Sequence, residues 1–173
     1  YISVTGGGGD INFTAPEQQV IADGLIVDGV DALRKAVRKE IKYGSDWIKV
    51  LVTGAFMSAG DNPKDVHFSP EELKVVVEEA NRRGIPVMAH AHSAAGVIMS
   101  VKAGVRSIEH GTFIDNEGIQ LMAQKGVYLV PTLAVGEYYL NEKPKTKALE
   151  KYIKLSKKYR AINYKNITAA IKA

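Results

Sequence analysis

The sequence predicts an α/β protein in which βα units are laid on a parallel sheet. Short apolar runs alternate with helical patterns, helix starts and stops fall at recurring punctuation, and Lys49, His90 and His110 each sit near the carboxyl end of an apolar run. The composition, 46 % hydrophobic and 24 % charged, is that of a globular chain rather than a disordered one.

The first run, Ile2 to Thr5, opens into the cluster Thr5-Gly6-Gly7-Gly8-Gly9-Asp10. Backbone amides after a strand can cradle phosphate. This cluster lacks the Gly-Lys-Ser/Thr ending of a phosphate loop, and Asn12 to Gly24, interrupted by Pro16, is no immediate helix. Close approach of backbone to backbone is the expected use of the glycines.

A helix is predicted over Val30 to Tyr43, followed by a strand over Trp47 to Val52. In that strand Ile48, Val50 and Val52 share one face and Trp47, Lys49 and Leu51 the other. Ser69-Pro70-Glu71-Glu72 supplies a cap, a proline at the first helical position and a carboxylate at the third. These start a helix that runs to Arg83 and stops at Gly84-Ile85-Pro86. The next strand, Ile85 to His90, places Met88, His90 and His92 opposite Val87 and Ala89. Then come a helix over Ala94 to Ala103, a strand over Val105 to His110, a helix over Asp115 to Lys125 and a strand over Val127 to Pro131. Gly104 and Gly126 occupy equivalent helix-to-strand positions, and a last helix is predicted over Lys145 to Ala170.

Charge is unevenly spread. Asn141 to Ala173 holds ten Lys or Arg against two Glu, +8 within a chain of net +4, so the rest is net −4. Leu149, Tyr152, Ile153, Tyr159 and Ile162 recur there at near-helical spacing, which makes the lysines the wet face of an amphipathic helix rather than a nucleic-acid site. With no cysteine, any metal must use His, carboxylate or modified Lys ligands. No apolar run is long enough to cross a bilayer and the amino terminus has no signal-peptide pattern, so a cytoplasmic protein with no membrane partner is expected.

An unpaired ammonium at the end of an apolar run is costly, since even a neutral polar group buried without a partner costs roughly 2 to 7 kcal/mol. Taken singly, Lys49 reads as a snorkelling side chain, His90 and His92 as satisfied core or rim residues and His110 as a helix cap. Taken together, at the carboxyl ends of successive strands of one sheet, they read as ligands. Two cations about 3.5 to 4 Å apart can clamp a carbonyl and activate a shared water. A lysine whose neutral amine captures carbon dioxide becomes a carboxylate-like bridge between them, and the burial problem disappears with the charge. His67 reads as a loop residue beside a helix start, Phe56 and Met57 as pocket or filler, and Tyr138 and Tyr139 as packing with a hydroxyl within reach of a site.

Asp46-Trp47-Ile48-Lys49-Val50, His90-Ala91-His92, Ser107-Ile108-Glu109-His110-Gly111-Thr112 and Tyr128-Leu129-Val130-Pro131-Thr132 resemble the amidohydrolase superfamily, in its prolidase-like, Xaa-Pro dipeptidase and imidazolonepropionase-related branch. The resemblance covers nearly the whole chain. It implies a partial (β/α)8 barrel of about strands three to seven over residues 1 to 173, the first two strands and the eighth being absent. It implies that Lys49 is a carboxylated bridging lysine, that His90 and His110 bind metal, and that His92 supports a ligand or faces the substrate; Tyr139 is a candidate for the same role by its place after the Pro131-Thr132 strand end. Two divalent ions, zinc foremost, are the implied cofactors, with a small peptide or N-acyl amino acid as substrate and a homo-oligomer permitted. The family's first-strand His-x-His and its eighth-strand proton-shuttling Asp have no counterpart here, so residues 1 to 173 alone are expected to be inactive. Gly8 stands where relatives commonly carry a histidine that helps hold the substrate carbonyl. The alternatives are a one-metal deaminase or cyclic amide hydrolase on the same scaffold, and a non-catalytic module binding an acidic partner through the basic helix.

Overall fold

The computed structural model of the chain describes residues 1–10, 24–56, 58, 61–140 and 143–173. Six strands form one parallel sheet, β1 (Ile2–Ser3), β2 (Leu25–Ile26), β3 (Ile48–Leu51), β4 (Val87–Ser93), β5 (Ser107–Phe113) and β6 (Tyr128–Val130), in the order β2-β1-β3-β4-β5-β6. The sheet is open rather than closed on itself. Its β6 edge leaves Tyr128 60 % exposed. The helices are α1 (Val30–Lys42), α2 (Pro70–Asn81), α3 (Ala94–Ala103), α4 (Asn116–Lys125), α5 (Leu133–Leu140) and α6 (Lys147–Ile171). None among the described residues is long and apolar enough to cross a membrane.

One face of the sheet is apolar and covered. Val50, Val52, Ala89, Ala91 and Ile108 are fully buried in one cluster with Leu33 and Val37 of α1, Leu73 and Val76 of α2 and Val97 of α3. Each of the Val, Leu and Ile side chains contributes roughly 1.5–3 kcal/mol by leaving water, and each alanine methyl less. Local chemistry sets the helix ends. Ser69 and Glu72 make a reciprocal capping box on α2, with Pro70 at its first position. Arg38 of α1 grips Glu79 of α2 through two nitrogens at 2.7 and 3.2 Å, locking the two helices together.

Helix α6 crosses the carboxyl edge of the sheet. Lys151 Nζ donates to the carbonyls of Ser58 and Asp61 at 2.8 Å, and Asn166 Nδ2 to the Thr112 carbonyl at 3.1 Å. Tyr152 and Ile153 are buried while Lys154, Lys157 and Lys158 are exposed, as the spacing predicts, but Ile162, placed on the apolar face by that spacing, is 45 % exposed, and Ile167 is buried instead.

The sheet carries one strand more than the five predicted, because a two-residue strand such as β2 offers no alternation to read. Strands β4 and β5 run three residues beyond their predicted ends at His90 and His110, so His92 also belongs to a strand. Helix α5 went unpredicted, with Gly136 in its interior and with Thr132, the residue before it, bonded to His110 rather than to the helix. The glycine amides are engaged within the protein: Gly6 donates to Asp10 Oδ2, Gly7 to the Val4 carbonyl and Gly8 to His67 Nδ1, which leaves no cradle of free amides for phosphate at these three. Gly8 lies against the Thr53 carbonyl and Gly7 against the Val4 carbonyl, the close backbone approach expected of the cluster, while Gly9 lies against the Tyr1 ring. Met57, Gly60 and residues 11–23 of the stretch with Pro16 lie outside the described residues.

Candidate metal centre

Strand β4 delivers two imidazoles by plain pleating. His90 and His92 project on the face opposite Val87, Ala89 and Ala91, and both are buried. His90 Nε2 lies 3.1 Å from the Gly54 carbonyl. A carbonyl can only accept, so Nε2 carries the hydrogen and Nδ1 keeps the lone pair. Gly54 is required there, since a β-carbon would collide with the Asn62 carbonyl. His92 Nδ1 lies 2.9 Å from Thr112 Oγ1, and the His92 amide donates to Thr53 Oγ1 at 2.9 Å.

Strand β5 delivers the third imidazole differently. Ala91 is opposite His110 and Ser93 opposite Phe113, so β5 inserts one residue where β4 has none. In an unbroken pleat His110 would share the helix-covered face with Ile108. Instead its backbone turns to φ 78°, Gly111 follows at 59°, and the ring comes to the His90 and His92 side. Its Nδ1 lies 2.6 Å from Thr132 Oγ1, and Thr132 is itself held at φ 48°. Non-glycine residues in this region cost about 1–3 kcal/mol each, and surrounding structure must hold them there.

The three rings lie 4.6 Å apart, centroid to centroid, in every pairing; His92 and His110 stack at 18° while His90 stands across both. Their donor atoms all fall within 4.8 Å of one another. Tetrahedral zinc with Zn–N bonds near 2.0–2.1 Å needs donors about 3.3 Å apart, so small side-chain adjustments suffice. Burial drives all three imidazoles to the neutral form: His90 falls to about 4, His110 to about 3, and His92 well below its usual value. Neutral imidazole is the ligating state.

Lys49 is rooted on β3 opposite Met88, two residues before Leu51, which pairs with His90. Burial lowers its pKa to about 8, with Glu109 pulling the other way. Its charge in turn depresses all three histidines. Lysine and imidazoles therefore feel one another, although Lys49 does not border the cavity in front of the rings. That cavity, about 370 Å³, has the three histidines at its floor and walls of Leu51, Phe56, Leu133, Tyr152 and Tyr159. Asn163 also lines it, and its Oδ1 is the one buried side-chain oxygen among the described residues without a hydrogen-bond partner.

Tyr139 does not border the cavity; it packs edge-on against Tyr152 at 5.4 Å, and Tyr138 packs on Tyr139 with 65 % of its surface exposed. His67 holds loops together, accepting from Gly8 at 3.0 Å through Nδ1 while its Nε2 lies 3.4 Å from Asp61. At Gly8 a β-carbon would stand 3.0 Å from the Thr53 carbonyl, so a histidine there would press on backbone. Sequence reasoning named neither Thr112 nor Thr132 as ring partners. Their signal was a hydroxyl two residues after His110 in one case and one residue after Pro131 in the other.

A parallel βα sheet with three imidazoles gathered at its carboxyl edge is an α/β arrangement whose side chains could hold a metal ion. The chain belongs to the amidohydrolase family, whose profile matches residues 3–171. It is 45 % identical over 130 residues to ochratoxinase from Aspergillus niger, a match covering 75 % of this chain and 27 % of that protein. Among solved structures it resembles a Xaa-Pro dipeptidase with methionine bound in its active site, at 34 % identity and a TM-score of 0.85, over 99 % of this chain and 43 % of that one. It also resembles a prolidase complexed with N-methylphosphonate-L-proline, at 30 % identity and a TM-score of 0.77, over 95 % and 44 % of the respective chains. The chain thus spans less than half the length of these relatives.

Proposed function

We propose that the protein to which these residues belong is a metal-dependent hydrolase of amide or peptide bonds, acting on a small dipeptide or N-acyl amino acid. The observation that carries this reading is the convergence of three neutral imidazoles, delivered by two strands, on the floor of one cavity. The family, together with relatives named as a dipeptidase, a prolidase and an ochratoxinase, supports it.

In this reading His90 and His110 hold divalent metal, zinc foremost, through Nδ1 and Nε2 respectively. Lys49, whose lowered pKa leaves about a tenth of it as free amine at neutral pH, would take up carbon dioxide: a nitrogen–carbon bond would form, one proton would leave, and the carbamate would supply an anionic oxygen ligand for the metal. When bound, the ions polarise the scissile carbonyl and activate water. The apolar wall of Phe56, Tyr152 and Tyr159 takes a bulky apolar side of the substrate and keeps bulk water out. His92, stacked on His110, stiffens the floor, and Tyr139 does so at one remove through Tyr152. Proton transfer and the remaining ligands come from groups with no counterpart in residues 1 to 173.

A one-ion site is the second reading, because three imidazoles within 4.8 Å suit a single tetrahedral ion equally well. Metal content of the protein after growth with zinc, combined with ¹³C NMR under labelled carbon dioxide, decides. About two ions and a carbamate signal that Lys49→Met abolishes support the two-ion reading; one ion and no carbamate support the other. A protein that takes up no metal and cleaves no N-acyl amino acid or Xaa-Pro dipeptide overturns both.

A further inference from the structure

We propose that Thr132 is a positioning residue: its hydroxyl accepts the Nδ1–H of His110 and so fixes that ring with its Nε2 lone pair directed at His90 and His92. The inference deepens the metal-site reading above, and it rests on a departure from what the surrounding chain does elsewhere.

Two other strands run into helices near this edge. At both turns the residue before the helix is extended, Ser93 at φ −78° and Asp115 at −105°, and its side chain accepts from the helix's own amide, Gly96 in one case and Gly118 in the other. That is the ordinary use of a Ser, Thr or Asp in this position. Thr132 stands between β6 and α5 and breaks the pattern twice. It is twisted to φ 48°, a region that β-branched residues rarely enter, and among the described residues its side chain makes no bond to α5. Its hydroxyl goes instead to His110, 22 residues back, at 2.6 Å.

His110 is the other non-glycine residue with positive φ among the described residues, so the two strained positions are joined by one short hydrogen bond. The pairing has a chemical consequence. The Gly54 carbonyl holds His90 with its hydrogen on Nε2, whereas a Thr132 hydroxyl that accepts, as proposed, leaves the His110 hydrogen on Nδ1. Neighbouring rings are set in opposite tautomers, each with a different nitrogen free to ligate.

The test uses the metal-free chain with ¹⁵N-labelled histidine, where ring nitrogen shifts report the tautomer directly. We expect His110 to show a protonated Nδ1 and an unprotonated Nε2, Thr132→Val to lose that preference, and Thr132→Ser to restore it. Thr132→Gly, which releases the backbone strain, separates folding from positioning: it should fold and still lose the preference. Zinc affinity, measured by competition with a chromogenic chelator, should weaken about ten- to hundredfold in the Val and Gly variants and recover in Ser. A His110 protonated on Nε2 in the parent chain, or a tautomer unchanged in both Val and Gly variants, overturns the proposal. A parent chain that binds no zinc but shows the expected tautomer overturns the metal reading and leaves the role of Thr132 standing.

Discussion

Strands β4 and β5 lie side by side and contribute to the same cluster by opposite means. In β4 the pleat itself aims His90 and His92, and the backbone needs no distortion to do so. In β5 an inserted residue and a left-handed backbone turn His110 away from the face that Ile108 occupies. The regular strand places its ligands as a by-product of alternation; the bulged strand holds its ligand against a local preference. Stability and site geometry are therefore aligned in β4 and opposed in β5, and substitutions in the two strands should separate them.

The largest effect is expected from replacing each ligand in turn. His90→Asn and His110→Asn should each weaken zinc binding by more than the ten- to hundredfold that a ligand's supporting partner is worth. Their effects on folding should differ. Asn at 90 takes one of two donors from the buried Gly54 carbonyl, which keeps the Thr53 hydroxyl at 3.2 Å, a loss of about 1 kcal/mol. Asn tolerates positive φ, so at 110 the relief of strain offsets the lost contacts. Urea midpoints that fall equally in both variants would erase the contrast between the strands.

Acid should expose the same site next. An unfolded chain binds protons on these histidines near pH 6.5, whereas the fold resists until about 4 for His90 and about 3 for His110. Between those limits the unfolded state holds more protons, so stability is lost as pH falls, by about 3 kcal/mol for His90 alone. His110→Asn should remove the share of β5 and leave that of β4. Lys49 acts at the other end: its folded pKa of about 8 means that stability rises as pH climbs from there toward 10.5. Chemical denaturation of the metal-free chain from pH 4 to 10 would show both slopes, and a flat profile below pH 6.5 would contradict the burial of the imidazoles.

The same contrast explains what was legible in the sequence. The faces of β3 and β4 follow from alternation, and Ile48, Val50, Val52, Val87 and Ala89 are buried where the pattern puts them. The helix over 94–103 ends where its glycine stop places it, and the Ser93 cap at its start is what the structure adds. For His110 alternation alone would choose the wrong face, because a bulge is a relation between two strands and leaves no periodic trace in one. Gly54 was silent and Thr132 offered only a hydroxyl after Pro131, because their value lies in contacts 36 and 22 residues away along the chain. The cavity wall from α6 could be foreseen only as an apolar helix face, since nothing in its spacing says that it crosses the mouth of the sheet.

The smallest effect lies where each strand hands over to its helix. Ser93 ends β4 and caps α3 through the Gly96 amide at 3.2 Å, in a buried setting; Asp115 follows β5 and caps α4 through the Gly118 amide at 2.9 Å, partly open to water. Removing either cap costs about 1 kcal/mol in general. Gly96 and Gly118 are both buried, but Asp115 is exposed, so water can enter the space its side chain vacates, whereas Ser93 is buried and the Thr53 methyl crowds Gly96, so Ser93→Ala would strand the Gly96 amide. Ser93→Ala should therefore lower the unfolding midpoint more than Asp115→Ala, although the aspartate makes the shorter bond to its helix. The reverse order would mean that charge at a helix terminus outweighs burial here, and that the end of β4 is less tightly enclosed than its histidines require.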